Sequence, residues 1–188
     1  MNRQPAASEP GWDSGSWCDL HQYRAARGET DAAAAIRAAA GRALNVAISG
    51  CGCGAGAQAR LWAAQGHQVF GADGDAALVA LARRRAAAAG LGIMFDHAAA
   101  GALPWPDRSM DVCIAPPGLT QMADWRGCSA QLMRVLRPGG VLYIRTANAL
   151  SPALNWFTFH SLRLRLRGLD HPDLGAPYTL LAVIKPAR

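Results

Sequence analysis

The feature that most constrains this chain is an apolar stretch, residues 46–48, that runs through Ser49 into a glycine-rich turn at 50–54. A strand, such a turn and a following helix bring bare backbone N–H groups up to a ligand, and glycine is needed where a Cβ would collide. Asp73 closes the next apolar run, about 20 residues on, where an acid can accept hydrogen bonds from ribose hydroxyls. The pattern predicts a nucleotide-binding βαβ unit.

The turn alone leaves the nucleotide open. Gly50, Gly52 and Ala55 satisfy a relaxed dinucleotide fingerprint, so the same residues suit NAD, FAD or S-adenosylmethionine. A purely structural turn without a ligand fits them as well. The rest of the chain has to distinguish these possibilities.

Length and composition narrow the class of protein. A chain of 188 residues buries one core and is too short for a nucleotide domain plus a full substrate domain, which argues against a dehydrogenase. Hydrophobic residues make up 51% and charged residues 17%, as in globular proteins. No apolar run reaches the roughly 20 residues of a membrane span, and residues 1–15 do not resemble a secretory signal. We therefore expect a cytoplasmic protein.

Cysteine usage and charge give little support to metal or nucleic acid binding. The five cysteines do not suggest a disulfide framework, and no second Cys/His pair at ligand spacing follows Cys51 and Cys53, so no metal is expected. The net charge of +6 comes mainly from scattered arginines. The cluster at 83–85 suits the last turn of a helix, whose dipole favours cations. Nucleic acid is not expected as a partner, although the arginines at 163, 165 and 167 leave that point open.

Predicted strands and helices alternate along the chain. The predicted strands are 44–49, 68–72, 91–95, 110–115 and 141–146, and the predicted helices are 31–40, 55–65, 76–89 and 123–136. Glycines at 66 and 90 are expected to end the second and third of these helices. Because the strands are apolar on both faces, the pattern predicts an α/β fold with a mostly parallel sheet covered by helices on both sides.

The C-terminal part is ambiguous. Residues 152–160 favour a helix, whereas 162–167 alternate with period two, as a half-buried strand does. A helical stripe also runs through this part, so strand and helix both remain open for 161–167. Residues 178–185 predict a final strand.

Three sequence blocks occur in one order between residues 44 and 147. Val46 with the turn 50–54 matches V-L-D-x-G-C-G-x-G, residues 103–112 match L-P-F-P-D-x-S-F-D-V, and residues 134–140 match R-V-L-x-P-G-G. Together they resemble the class I S-adenosylmethionine-dependent methyltransferases, in particular the small-molecule branch of ubiquinone and menaquinone biosynthesis. The resemblance implies a Rossmann-like fold in one domain at 30–188, preceded by a lid or flexible segment at 1–29. The chain departs from the family in an expected shortening of the C-terminal end after the fifth strand.

The resemblance also implies S-adenosyl-L-methionine as the cofactor and a set of residues around it. The turn would offer its backbone to the methionine part, Asp73 would hold the ribose, and small residues would line the adenine and the sulfonium. The implied cofactor-binding residues are Gly50, Cys51, Gly52, Gly54, Asp73, Gly74, Ala99, Ala100, Ala115 and Pro116. Asp111, at the start of the predicted fourth strand, is interpreted as structural.

Two positions depart from the family pattern. Ile48 stands where the family has an acid that orients the cofactor amine, and Ala99 stands where an acid often meets the adenine amine. Because each such hydrogen bond contributes on the order of 1 to 3 kcal/mol, losing both predicts cofactor binding weaker by roughly two or more decades. Ser49, Asp96 and His97 are candidates to replace these acids.

The chemistry itself needs few side chains. Alignment of nucleophile, methyl and sulfur supplies much of the rate, and a general base is needed only when the acceptor loses a proton. Candidate bases are His21 and Tyr23 in the N-terminal segment and His160 after the fifth strand. Aromatic side chains near His160 suit an apolar or aromatic acceptor.

The sequence thus predicts methylation of a small molecule. The alternative is a protein of the same fold that binds or scaffolds without methylating, as the departures at 48 and 99 would allow. A homodimer is a further expectation, since the short stretch after the fifth strand would leave a sheet edge for a second copy.

Overall fold

The computed structural model describes residues 42–49, 52–115, 118–119, 122–146, 164–169 and 178–185. The predicted N-terminal segment 1–29 and the predicted helices 31–40 and 152–160 lie outside these residues. No helix within the described ranges is long and apolar enough to cross a membrane.

Strands and helices alternate as the sequence predicts. The strands are β1 (Asn45–Ile48), β2 (Gln68–Asp73), β3 (Ile93–His97), β4 (Met110–Ala115), β5 (Leu136–Thr146), β6 (Leu164–Leu169) and β7 (Tyr178–Ile184). The helices are α1 (Ala57–Ala64), α2 (Ala76–Ala88) and α3 (Trp125–Val135). Gly66 and Gly90, the predicted helix stops, follow α1 and α2 with φ of 82° and 65°. The predicted α/β architecture is confirmed.

A single seven-stranded sheet organises the described chain in the order β3-β2-β1-β4-β5-β7-β6. β1 to β5 run parallel, and β7 lies antiparallel between β5 and β6. The ambiguous stretch at 161–167 contributes to strand β6, which pairs with β7. The order reverses between β1 and β4, and such a switch point forms a ligand crevice at the carboxyl ends of the strands.

Helices cover both faces of the sheet. On β1, Val46 and Ile48 point to the side that contains Trp62 of α1, whereas Ala47 points to the opposite side, which contains Leu132 of α3. All five side chains are completely buried. This alternation is the period-two geometry of a strand buried on both faces.

The largest deviation from the predicted elements is at β5, which begins at Leu136 rather than at 141. Leu136 pairs with Met110, the register then shifts, and regular pairing with β4 resumes at Val141. Gly139 has a φ of 76°, and a Cβ on Gly140 would lie 2.9 Å from the backbone oxygen of Asp111. The Pro-Gly-Gly sequence that predicts a break is therefore a bulge inside the strand. β3 also differs, since it begins at 93 and not at 91.

Asp111 lies at the amino-terminal end of β4 and is buried beneath two arginines. Its carboxylate accepts hydrogen bonds from the Arg42 guanidinium (2.7 and 2.9 Å) and from the backbone N–H of Asn45 (2.8 Å), and it also forms an ion pair with Arg137. Burial acts to raise the pKa of Asp111, but the hydrogen bonds from Arg42 and Asn45 and the charge of Arg137 outweigh it and hold the pKa below its usual range. These contacts give Asp111 a structural role.

We expect Asp111→Asn to lower the free energy of unfolding by about 1–3 kcal/mol at pH 7, because a buried charged acceptor is lost. Since the pKa is lower in the folded state than the ordinary value of about 3.9, this stabilisation is present above pH 4 and is lost as the pH falls through the folded pKa. Urea unfolding at pH 7 and pH 3 should show the difference between the variant and the wild type narrowing with acid.

Asp107→Asn is the matched control for that experiment. Asp107 is 71% exposed and pairs with Arg134, so its contribution to the free energy of unfolding should stay below about 1 kcal/mol. An Asp111→Asn variant as stable as the Asp107→Asn variant at pH 7 would contradict the structural role of Asp111.

Candidate functional site

A cavity of about 350 Å³ opens at the carboxyl ends of β1, β2 and β3. Parallel sheets bind ligands at this edge. The cavity is lined by Ser49, Gly52, Ala72, Asp73, Gly74, Asp75, Ala98, Ala99, Ala100 and Met122. It therefore lies where the glycine turn predicts a ligand.

Asp73, the last residue of β2, is the most firmly held charged group in the cavity. Its Oδ2 accepts from the backbone N–H of Gly54 (2.8 Å) and its Oδ1 accepts from the backbone N–H of Asp75 (2.9 Å). The residue is only 8% exposed. A carboxylate has about four acceptor positions, so two remain for the hydroxyls of a ligand.

Gly52 approaches Asp73 so closely that no other residue fits. Its φ is +117°, and a Cβ built on it would lie 2.2 Å from Asp73 Oδ2. The next residue, Cys53, donates its backbone N–H to the carbonyl oxygen of Ala72 (2.8 Å), which ties the turn to β2. The turn and the carboxylate therefore form one rigid unit.

Cys53 packs inside this turn and is not a nucleophile. Burial, together with the nearby charge of Asp73, raises the pKa of its thiol to about 12, so the group is a neutral thiol at physiological pH. A Cβ at Gly71 would lie 3.1 Å from its sulfur and 2.6 Å from the ring of Phe95. Across the ranges that the structure describes, no three His, Cys, Asp or Glu side chains converge as a metal site requires.

The end of β1 presents Ser49, and not residue 48, to the cavity. Ile48 is completely buried in the apolar cluster that contains Trp62. Ser49 lines the cavity, and its backbone N–H donates to the carbonyl oxygen of Ile114 (3.0 Å), which fixes its position. Ser49 is therefore the polar residue that lines the cavity directly after β1.

The cavity wall that follows β3 consists of three alanines, residues 98–100, which we call the alanine wall. The two polar candidates just before it point elsewhere: Asp96 accepts from Trp105 Nε1 (3.0 Å), and His97 Nε2 donates to the carbonyl oxygen of Gly74 (3.0 Å). Neither is among the residues that line the cavity. Trp105 stands in the second family block, but its hydrogen bond with Asp96 could not be predicted from the sequence.

Arg134 joins the second and third sequence blocks. Its guanidinium donates to the backbone oxygens of Leu103 (2.8 Å) and Trp105 (2.9 Å) and to Asp107 Oδ1 (2.6 Å). These hydrogen bonds hold the loop that follows the alanine wall against the end of α3. Both blocks are recognisable in the sequence, but the contact between them is not. The only sequence feature that indicates it is the presence of both blocks in one chain.

The structure brings half of the predicted cofactor-binding residues to the same cavity. Gly52, Asp73, Gly74, Ala99 and Ala100 line it, Gly54 contacts the carboxylate of Asp73, and Ala115 is completely buried at the end of β4. The other predicted site residues, which lie outside the described residues, are Gly50, Cys51, Pro116, His21, Tyr23 and His160.

Comparison with known sequences identifies relatives. A methyltransferase domain family model matches residues 50–144, which is half of the chain. A demethylmenaquinone methyltransferase of Thermus thermophilus is 42% identical over 81 residues, covering 43% of this chain and 37% of that protein. A second, from Deinococcus radiodurans, is 32% identical over 129 residues, covering 64% of this chain and 54% of that protein. The chain thus spans about half or less of the length of these curated relatives.

Solved structures support the same fold. The 1,6-didemethyltoxoflavin-N1-methyltransferase of Burkholderia thailandensis, solved with bound 1,6-didemethyltoxoflavin and S-adenosylhomocysteine, matches with a TM-score of 0.68 at 19% identity. The match covers 92% of this chain and 81% of that one. Together with the family match over the glycine turn, β2 and the two later blocks, this assigns the chain to the methyltransferase domain family.

Proposed function

We propose that this chain is an S-adenosyl-L-methionine-dependent methyltransferase that acts on a small apolar or aromatic molecule. The observation that carries the proposal is the cavity beside the glycine turn, in which the carboxylate of Asp73 is fixed with acceptor capacity to spare. Family membership supports the same cofactor.

The described residues fit this cofactor. The backbone at Gly52 approaches closely enough for the methionine part, and the free acceptor positions of Asp73 suit the two ribose hydroxyls. Ala98–Ala100 would face the base, and the Ser49 hydroxyl would serve in place of the acid that Ile48 replaces. Gly50, Cys51, Ala115 and Pro116 complete the proposed binding set.

When bound, this cofactor supplies an activated methyl group on a sulfonium. The chain then has to hold the acceptor in line and exclude water, which supplies much of the rate without a compulsory catalytic side chain. His21, Tyr23 and His160 remain the proposed bases for an acceptor that must lose a proton.

The proposed acceptor is a quinone-like aromatic ring. The relatives in Thermus and Deinococcus carry the name demethylmenaquinone methyltransferase. In this chain Met122 gives the cavity an apolar side chain, and Trp156, Phe157 and Phe159 follow β5 in the sequence, where an aromatic acceptor would find partners.

Calorimetric titration with S-adenosylmethionine and S-adenosylhomocysteine tests the proposal, with ATP as a control that shares the nucleoside but lacks the amino acid. We expect both cofactor forms to bind and ATP not to bind comparably. A mass-spectrometric assay with demethylmenaquinone analogues then tests transfer. Absence of binding at high micromolar concentration would overturn the proposal, and binding without transfer to any acceptor would favour the non-methylating alternative, which the comparisons do not favour.

Two further expectations stay predictions from the sequence. One is a cytoplasmic location, and the other is a homodimer. β6 ends the described sheet on the side away from β3, and a second copy would add to the sheet at such an edge.

A further inference from the structure

We propose that the base end of the cavity is a wide slot, bounded by Gly74 and Ala99, that accepts adenosyl ligands enlarged at the exocyclic amine as well as the unmodified ones. This inference rests on the proposed function and concerns which forms of the cofactor the chain admits. It assigns the selectivity for the base to two residues that have almost no side chain.

The order of the lining residues sets the direction of the ligand. Asp73 lies between the turn at Gly52 on one side and the alanine wall 98–100 on the other, because β2 lies between β1 and β3. With the ribose on Asp73 and the amino acid part at the turn, the base extends toward the alanines. Gly74 follows Asp73 directly and lines the same end.

Gly74 leaves space that a side chain would ordinarily fill. A Cβ built on it meets nothing within 4 Å, and its backbone is not in the left-handed region. Gly52 is the opposite case, since a Cβ there would overlap Asp73. Glycine at 74 is therefore not required by the fold, and its effect is to widen the slot beside the base.

The opposite wall, residues 98–100, offers the base no side-chain hydrogen bond. Ala99 is exposed, and Asp96 and His97 are engaged with Trp105 and with the carbonyl oxygen of Gly74. Asp75 also lines the cavity, but it follows Gly74 at the start of α2, where its Oδ1 accepts from the backbone N–H of Ala77 (2.8 Å), and it is not part of the wall at 98–100. Within residues 98–100 no side chain can accept from the exocyclic amine, so a substituent on that amine costs little.

The test compares the binding of S-adenosylhomocysteine and its N6-benzyl derivative by calorimetry. We expect wild-type dissociation constants within about threefold of each other. Gly74→Leu should fill the slot and shift the ratio at least about tenfold in favour of the unmodified ligand, because the leucine side chain would occupy the space of the benzyl group, whose lost burial is worth about that factor. Gly92→Leu is the matched control, because a Cβ at Gly92 also meets nothing within 4 Å but the residue does not line the cavity.

Each outcome is decisive. Wild-type binding of S-adenosylhomocysteine with the benzyl derivative more than about threefold weaker overturns the inference and leaves the proposed function intact. Thermal unfolding would check that both variants are folded. If the ratio of the two dissociation constants is then the same for Gly74→Leu and Gly92→Leu, Gly74 does not determine the selectivity for the base. Failure of the wild type to bind either ligand overturns the proposed function itself.

Discussion

Replacing Asp73 with alanine is expected to weaken S-adenosylhomocysteine binding at least about 100-fold. The carboxylate is the ribose acceptor in the proposed site, and each hydrogen bond to a charged group is worth about 1.5–3 kcal/mol, so losing two of them exceeds two decades in affinity. The variant also loses the contacts that fix Gly54 and Asp75, which loosens the turn. Calorimetric titration measures the effect, and circular dichroism checks the fold.

Asp75→Asn is the matched control for Asp73→Ala. Asp75 lines the same cavity and caps α2, and asparagine is an equally good N-cap, so the helix start is kept while one negative charge is removed. We expect binding within about threefold of the wild type. If Asp73→Ala binds as well as Asp75→Asn does, the carboxylate of Asp73 is not the ribose acceptor.

Arg134→Met is expected to lower the free energy of unfolding by about 3 kcal/mol, measured by urea denaturation at pH 7. Methionine keeps much of the volume of the side chain but removes Nη2, which donates to the carbonyl oxygen of Leu103, and Nη1, which donates to that of Trp105. Both of those residues are buried, at 5% exposure each, so their oxygens lose a partner that water replaces poorly.

Arg126→Met on the same helix provides the comparison. The guanidinium of Arg126 is exposed and lies 4.8 Å from the ring centre of Trp125, a contact worth about 0.5–1 kcal/mol. Arg134→Lys should recover only part of the lost free energy of unfolding. Lysine keeps a donor and the positive charge, but a single ammonium cannot reach both carbonyls and Asp107 at once. Equal losses of unfolding free energy for Arg134→Met and Arg126→Met would mean that the hydrogen bonds of Arg134 to the loop add no particular stability.

The order of the elements was predictable from the sequence because apolar strands and capped helices leave strong local patterns. β4 was predicted with its observed bounds, since turn-forming residues precede it and every residue in it is buried. β5 was not, because Pro138 and two glycines resemble a loop, and only pairing with β4 reveals a bulge. The strand β6 was ambiguous for a similar reason, as its pairing partner β7 decides between the two periodicities.

The site was predictable to the extent that backbone position decides it. Gly52 and Asp73 were found because a strand tip and a glycine turn fix where they lie. The bond between Asp96 and Trp105 was not found, because it depends on two side chains that the sequence separates and the fold brings to 3.0 Å. Likewise, Ser49 could be named as a candidate, but only the alternation observed on β1 directs it, and not Ile48, to the cavity.

The burial of Ile48 makes the two departures from the family pattern unequal in evolutionary terms. Ala99 is exposed, so a carboxylate can arise there in one mutational step without disturbing the core. A carboxylate at position 48 would enter an apolar cluster beside Trp62 and would be destabilising unless its neighbours changed as well. The packing of this chain therefore admits a carboxylate at position 99 and excludes one at position 48.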